Sequence, residues 1–135
     1  MKIIEKEFVP VFLGSDINTY SMSRAFYEEY GVKSIVIGKT GTGPSCNSRI
    51  IDFRTVPGLD TKDVFLKTVK GLVAEYPGKK IILMGCGDNY VEQIIKNKPQ
   101  LDKNIIAPYV DEDLMDMLLT KQKFYQMCDR YNISY

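Results

Sequence analysis

The chain has no histidine in 135 residues, and that absence excludes more chemistry than any other feature. Imidazole is the side chain that titrates near neutral pH. Ser-His-Asp and Cys-His catalysis and His-ligated zinc therefore have no place within this sequence. Carboxylates, lysines, thiols and backbone dipoles remain. Cysteine is scarce: Cys46, Cys86 and Cys128, 3 in all, are odd in number and widely spaced. They match free thiols in a reducing compartment and offer neither a disulfide framework nor a CxxC zinc site. Neither sign of charge dominates. Lys plus Arg number 18 against 17 Asp plus Glu, a net charge of +1, and the charges are mixed along the chain. That balance lacks a nucleic-acid footprint and a polybasic membrane patch. No apolar run approaches the roughly 18 residues of a membrane-spanning helix, and the N-terminus lacks a signal-peptide pattern. The expectation is a cytoplasmic protein with no nucleic-acid and no membrane partner.

What is present is an alternation of strands and helices of the size of one domain. Phe8 to Leu13 reads as a first strand, with Pro10 unable to donate to the ladder, so pairing is expected to begin after it or to be missing on its N–H side. Gly14-Ser15-Asp16 turns into a helix from about Asn18 to Tyr30, with Met22, Ala25, Phe26 and Tyr30 on one stripe and Gly31 as its stop. Ser34 to Ile37 is a second strand, and Gly38 to Ser48 a polar, Gly-rich loop. Ile50 to Phe53 is a third strand. Asp60 is the expected cap of a helix bearing Val64, Phe65, Thr68, Leu72 and Tyr76, which ends at Pro77-Gly78. The fourth strand, Lys79 to Met84, is an apolar run without alternation, as a strand buried on both faces requires. A helix with Val91, Ile94 and Ile95 buried ends before Pro99. Asn104 to Ala107 is a brief fifth strand. Asp111 is expected to cap a helix bearing Leu114, Met115, Leu118 and Leu119, and Lys121 to Tyr131 forms the last helix, with Phe124, Tyr125, Met127 and Cys128.

This pattern predicts an α/β fold: a Rossmann-like three-layer sandwich of about five mostly parallel strands in the order 3-2-1-4-5, with helices on both faces. That order puts the switch point between the first and fourth strands. The two glycine turns, Gly14-Ser15-Asp16 and Gly85-Cys86-Gly87-Asp88, then flank one crevice. Asp88 or Asn89 is expected to cap the helix after the second turn. Helix starts there favour a carboxylate or phosphate, and Asp16 and Asp88 can accept from an ammonium group. Gly14, Ser15, Asp16, Asn18, Gly85, Cys86, Gly87, Asp88 and Asn89 are therefore the candidate substrate-binding residues.

Four motifs reduce to plainer readings. Gly38-Lys39 suggests a phosphate loop, but Lys33 stands where its first glycine belongs and the segment leads to a strand, so a flexible loop at a sheet edge is expected. Lys39 still has the reach for an anionic ligand. Gly85-Cys86-Gly87 opens like a dinucleotide fingerprint, but Tyr90 replaces its third glycine. Cys86, near a helix start that lowers thiol pKa values, lacks a nearby histidine or second cysteine and reads as a small buried hydrophobe. Asp111-Glu112-Asp113 reads as caps and dipole partners rather than a metal cluster. No catalytic residue and no metal ligand is assigned.

Phe12-Leu13-Gly14-Ser15-Asp16-Ile17-Asn18-Thr19-Tyr20-Ser21, the Arg24-Ala25-Phe26 helix, Ile82-Leu83-Met84-Gly85-Cys86-Gly87-Asp88 and Lys121-Gln122-Lys123-Phe124-Tyr125 occur in an order and spacing that carry a resemblance. The chain resembles the N-terminal, pre-ATP-grasp part of bacterial carboxylate–amine ligases of the ATP-grasp superfamily, D-aspartate ligase-like proteins among them. The resemblance runs over essentially all of the chain. It implies that ATP activates a carboxylate as an acyl phosphate, which an amine then attacks. It also implies that this part lines one wall of the active site and holds a carboxylate or amino acid substrate. The central and C-terminal ATP-grasp domains, with their ATP and Mg2+ contacts, have no counterpart here.

The expected division is a Rossmann-like unit at 1–119 and, at 120–135, a helix leading toward an absent ATP-grasp domain in cis. The chain alone is expected to bind no cofactor and to be inactive, with ATP and Mg2+ belonging to the full-length enzyme. Lys39 and Lys121 are the candidates for contacting a cofactor there, and homo-oligomerisation stays open. The alternatives are a stand-alone Rossmann-like nucleotide- or cofactor-binding protein and a non-catalytic docking module.

Overall fold

The strand at the centre of the sheet is β1 (Phe8–Leu13) in the computed structural model, which describes residues 7–135. The first six residues of the 1–119 unit lie outside that range. β1 runs parallel to β2 (Ser34–Gly38) on one side and to β4 (Lys80–Gly85) on the other. β3 (Ile51–Thr55) flanks β2, and β5 (Ile105–Ile106) flanks β4. The order is 3-2-1-4-5, all parallel, as the alternation of strands and helices implies.

Pro10 leaves its mark on the register. β1 pairs with β4 from Phe8 onward, but with β2 only from Val11, where Val11 faces Ile35. A ring nitrogen without hydrogen can serve one neighbouring strand less than an ordinary residue.

Side chains alternate between two apolar layers. Val11, Leu13, Ile35, Ile37, Ile81 and Leu83 face α2 (Lys62–Glu75) and α3 (Asp88–Asn97), packing with Phe65, Leu72 and Ile94. Phe12 and Val36 face the other way, onto Met22 and Phe26 of α1 (Ile17–Tyr30). Each such side chain taken fully out of water contributes about 1.5–3 kcal/mol. The Phe12 and Phe26 rings meet edge to face at 5.5 Å. Burial on both faces is why β1, β2 and β4 read as continuous apolar runs.

The details depart from expectation in several places. β3 ends at Thr55, beyond Phe53, because Arg54 and Thr55 still pair with Ile37 and Gly38 of β2, and Arg54 forms a two-pronged ion pair with Glu75 of α2. β5 has shrunk to Ile105 and Ile106, an edge strand paired on one side only. α1 buries Thr19 and Ser23, while Ala25 and Tyr30 are exposed. Its inner face is thus more polar than the apolar stripe implies, because one buried residue serves a loop. Thr61, not Asp60, is the N-cap of α2, and Asp60 turns away to pair with Lys39 at 3.1 Å. In α3, Tyr90 is buried while Val91 is only partly so.

The C-terminal helices depart most. α4 (Glu112–Leu118) buries only Met115, and α5 (Lys121–Arg130) only Cys128. Leu114, Leu118 and Leu119, which share that helix with Met115, are exposed. Asp111 sits at the N-cap of α4, but its carboxylate reaches Lys98 instead of capping. Among the described residues no helix is long and apolar enough to cross a membrane.

Candidate functional site

Three strands end on one line at the carboxyl edge of the sheet: Leu13 is opposite Ile37 on one side and Gly85 on the other. The chain leaves β1 toward α1 on one face and leaves β4 toward α3 on the opposite face. This is the switch point at which open α/β sheets place their ligands.

Backbone hydrogen bonds lock the two turns together. The Gly14 N–H donates to the Ile37 carbonyl at 2.9 Å, and the Cys86 N–H to the Leu13 carbonyl at 2.8 Å. Gly14 has φ +129, and a Cβ there would stand 3.0 Å from the Cys86 carbonyl oxygen. Only glycine lets the turns approach this closely. At Gly85 a Cβ would stand 2.7 Å from the Val91 nitrogen, so α3 presses directly on the strand end.

On the β1 side the helix start is occupied. Asp16 Oδ1 accepts from the backbone N–H groups of Asn18 at 3.1 Å and Thr19 at 3.3 Å, and Asn18 Nδ2 donates to Asp16 Oδ2 at 3.2 Å. A carboxylate thus already sits where an anion would bind. The loop after β2 adds a cover. The backbone of Gly43 crosses Ser15 so closely that a Cβ would stand 2.0 Å from the Ser15 carbonyl oxygen. Fully buried Ser45 is 2.8 Å from Thr19 Oγ1, hydroxyl to hydroxyl, and the Thr19 hydroxyl donates to the Asp16 carbonyl at 2.7 Å. The expected flexible edge loop is therefore an anchored one, and it follows an internal strand.

On the β4 side the helix start is open. Gly87, with φ +136, is the N-cap of α3, and no side chain caps that helix. Asp88 and Asn89, the expected caps, lie instead inside its first turn, because the two glycines carry the turn themselves. Asn89 also borders a cleft of about 480 Å³ that runs along α3 past Gln93 and Asn97 to Glu112, with Asp60 and Lys62 opposite. Gln93 is almost fully buried, and its Nε2 has no hydrogen-bond partner. The Gly85 N–H donates to the Tyr109 hydroxyl at 3.0 Å, tying the segment after β5 to the same edge.

Cys86 lies between the two sides. Burial, and then the negative charge of Asp16, push its thiol up to about 11. Its helix-start position does not lower the pKa, since a desolvated thiolate facing a carboxylate is disfavoured twice. Its Sγ rests 3.4 Å from the Met22 sulfur, as a small hydrophobe would.

The edge thus gathers Gly14, Ser15, Asp16, Asn18, Gly85, Cys86, Gly87, Asp88 and Asn89. Lys39 stands nearby but is held by Asp60, which raises its pKa while Lys39 lowers that of Asp60. Lys121 opens α5, whose main packing is on α4. No group of three or more His, Cys, Asp or Glu among the described residues fits a metal ion. Sequence reasoning misses Thr19, Ser45 and Tyr109. Ser45 and Tyr109 act from loops far along the chain, where no periodicity announces a partner, and Thr19 is hidden among polar residues at a helix start.

D-aspartate ligase from Enterococcus faecium (strain Aus0004) is 37% identical to this chain over 136 aligned positions, 98% of the chain. The likeness is to a ligase. It agrees with the resemblance carried by the β1–α1 and β4–α3 turns and the start of α5. The chain spans 32% of the length of that ligase. No family model and no solved structure matches it.

Proposed function

We propose that this chain is the substrate-binding region of an ATP-dependent carboxylate–amine ligase, and that its sheet edge holds a carboxylate or amino acid such as D-aspartate. The observation that carries the reading is the likeness to D-aspartate ligase over 98% of the chain. The geometry supports it in one respect. An uncapped helix start at Gly87 lies across the switch point from the Asp16 carboxylate, so positive and negative ends face the same edge. A zwitterion suits that pair: its carboxylate turns to the first N–H groups of α3, and its ammonium to Asp16 and Asp88.

In the reaction, the substrate carboxylate attacks the γ-phosphorus of ATP, giving an acyl phosphate and ADP. The amine then adds to the acyl carbon, phosphate leaves, and the amine gives up a proton. In this reading ATP and Mg2+ belong to the ATP-grasp part of the enzyme, and this region orients the substrate. The chain alone is then inactive.

Titration of the 15N-labelled chain with D-aspartate tests the proposal. The expected result is saturable shifts at the amides of Gly87, Asp88 and Asn89, weakened by Asp16→Asn. Unperturbed spectra with D-aspartate and with simple dicarboxylates overturn it. Shifts at the same amides with ATP alone would make the edge a nucleotide site.

A further inference from the structure

The apolar surface of this chain is gathered at one end. Of 13 exposed large hydrophobic side chains among the described residues, nine fall within residues 114–135. Leu114, Met117, Leu118 and Leu119 come from α4 and its end, and Phe124 and Tyr125 from α5. A single exposed Leu is ordinary; this concentration on two helices that pack together points to an interaction surface. α5 rests on α4, and α4 on α3, so the pair stands out from the sheet rather than covering it.

The surface has an electrical pattern. α4 carries Glu112, Asp113 and Asp116 and no basic residue. α5 carries Lys121, Lys123 and Arg130 against Asp129. Between them lies a cavity of about 310 Å³ floored by Met117 and Met127 and rimmed by Asp116, Lys123 and Arg130. Such a cavity takes an apolar side chain, with an acidic rim on one flank and a basic rim on the other to fix its approach.

We propose that the α4–α5 face is the docking surface for a polypeptide corresponding to the two thirds of D-aspartate ligase that this chain does not match. This rests on the ligase reading. Two observations select that occupant. The chain spans only 32% of its relative, so a ligase of that kind contains a large further portion for this region to meet. The apolar face also includes the start of α5, where Lys121-Gln122-Lys123-Phe124-Tyr125 carries part of the resemblance.

Thiol labelling tests it. A ligase is assembled from the Enterococcus faecium enzyme with its matched third replaced by this chain. Leu118→Cys is introduced on α4, and Lys70→Cys on the exposed side of α2 serves as a reference. Maleimide modification is followed site by site by mass spectrometry in the free chain and in the assembled ligase. The expected result is slower reaction at position 118 in the ligase than in the free chain, because a buried thiol is less reactive than an exposed one, with no change at position 70. Equal rates at position 118 overturn the proposal. So does protection in the free chain that grows with concentration, because a second copy is then the occupant. ATP-dependent ligation is measured on the same sample: activity without protection defeats the docking surface alone, and protection without activity defeats the ligase reading alone. If the assembled enzyme does not fold, a cysteine at the aligned position of the intact relative decides between the outcomes: fast labelling there overturns the proposal, and slow labelling supports it.

Discussion

The turn after β1 and the turn after β4 share one pattern, strand, glycine, helix, and end as opposites. At the first, Asp16 closes its own helix start and the loop through Gly43 and Ser45 lies across Ser15. At the second, the N-cap Gly87 offers no side chain to the helix start, and Gly87, Asp88 and Asn89 are exposed. The pattern alone therefore identifies where a site forms but not which side of it is free. One carboxylate decides that. With Asp16 in place, the β1 helix start is closed by its own carboxylate, while the β4 helix start keeps uncapped N–H groups, with Asp88 in the same first turn.

The largest disturbance of this contrast is expected from Gly85→Ala. The new Cβ would stand 2.7 Å from the Val91 nitrogen and 2.8 Å from the Tyr90 carbonyl carbon, both backbone atoms. Relief requires α3 to retreat from the strand end, which moves the open helix start itself. Overpacking of this kind costs about 3 kcal/mol. Urea unfolding should show a midpoint lowered accordingly, and an unchanged midpoint would mean that α3 is not seated as tightly as these distances require.

A smaller effect is expected at the closed side. Asp16→Ala removes the acceptor for two backbone N–H groups and should cost about 1 kcal/mol, as loss of an N-cap does. Asp16→Asn keeps an oxygen acceptor and should restore stability to within a few tenths of a kcal/mol. It also removes the negative charge, so the β1 side becomes more like the β4 side. Thermal unfolding of the two variants separates cap from charge. Equal losses in both would show that the charge, not the hydrogen bonds, stabilises the turn.

Much of this is legible in the sequence. Unbroken apolar runs at Val11–Leu13, Ile35–Ile37 and Ile81–Leu83 suit only strands buried on both faces, and the helices between them imply a parallel sheet. The strand order and the pairing of the two glycine turns follow. What sequence reasoning cannot supply is the choice among polar neighbours. Asp60 and Asp88 are both reasonable caps, yet Asp60 has a lysine 21 residues earlier within reach, and Asp88 follows a glycine that already completes the turn. Ser45 and Thr19 meet across 26 residues, a contact no local pattern encodes. The apolar spacing of Leu114, Leu118 and Leu119 is real, but spacing shows that a helix has an apolar face, not that the face is covered.

An effect confined to alkaline pH also measures how far the Asp16 charge reaches. Burial and Asp16 hold the Cys86 thiol up to about 11 in the folded chain, against an ordinary value of 9.0. Between about pH 9 and 11 the unfolded chain gives up this proton while the folded chain retains it. The unfolded state then binds fewer protons, so stability falls as pH rises through that window and is unaffected by this group below it. Urea midpoints taken from pH 8 to 11 should decline more steeply for the native chain than for Cys86→Ala, in which the other groups titrating at alkaline pH remain and cancel in the comparison. Asp16→Asn should lie between them, since it removes the second cause and leaves the burial. Parallel slopes for all three would show that the thiol is not desolvated, and that the two turns are not coupled through it.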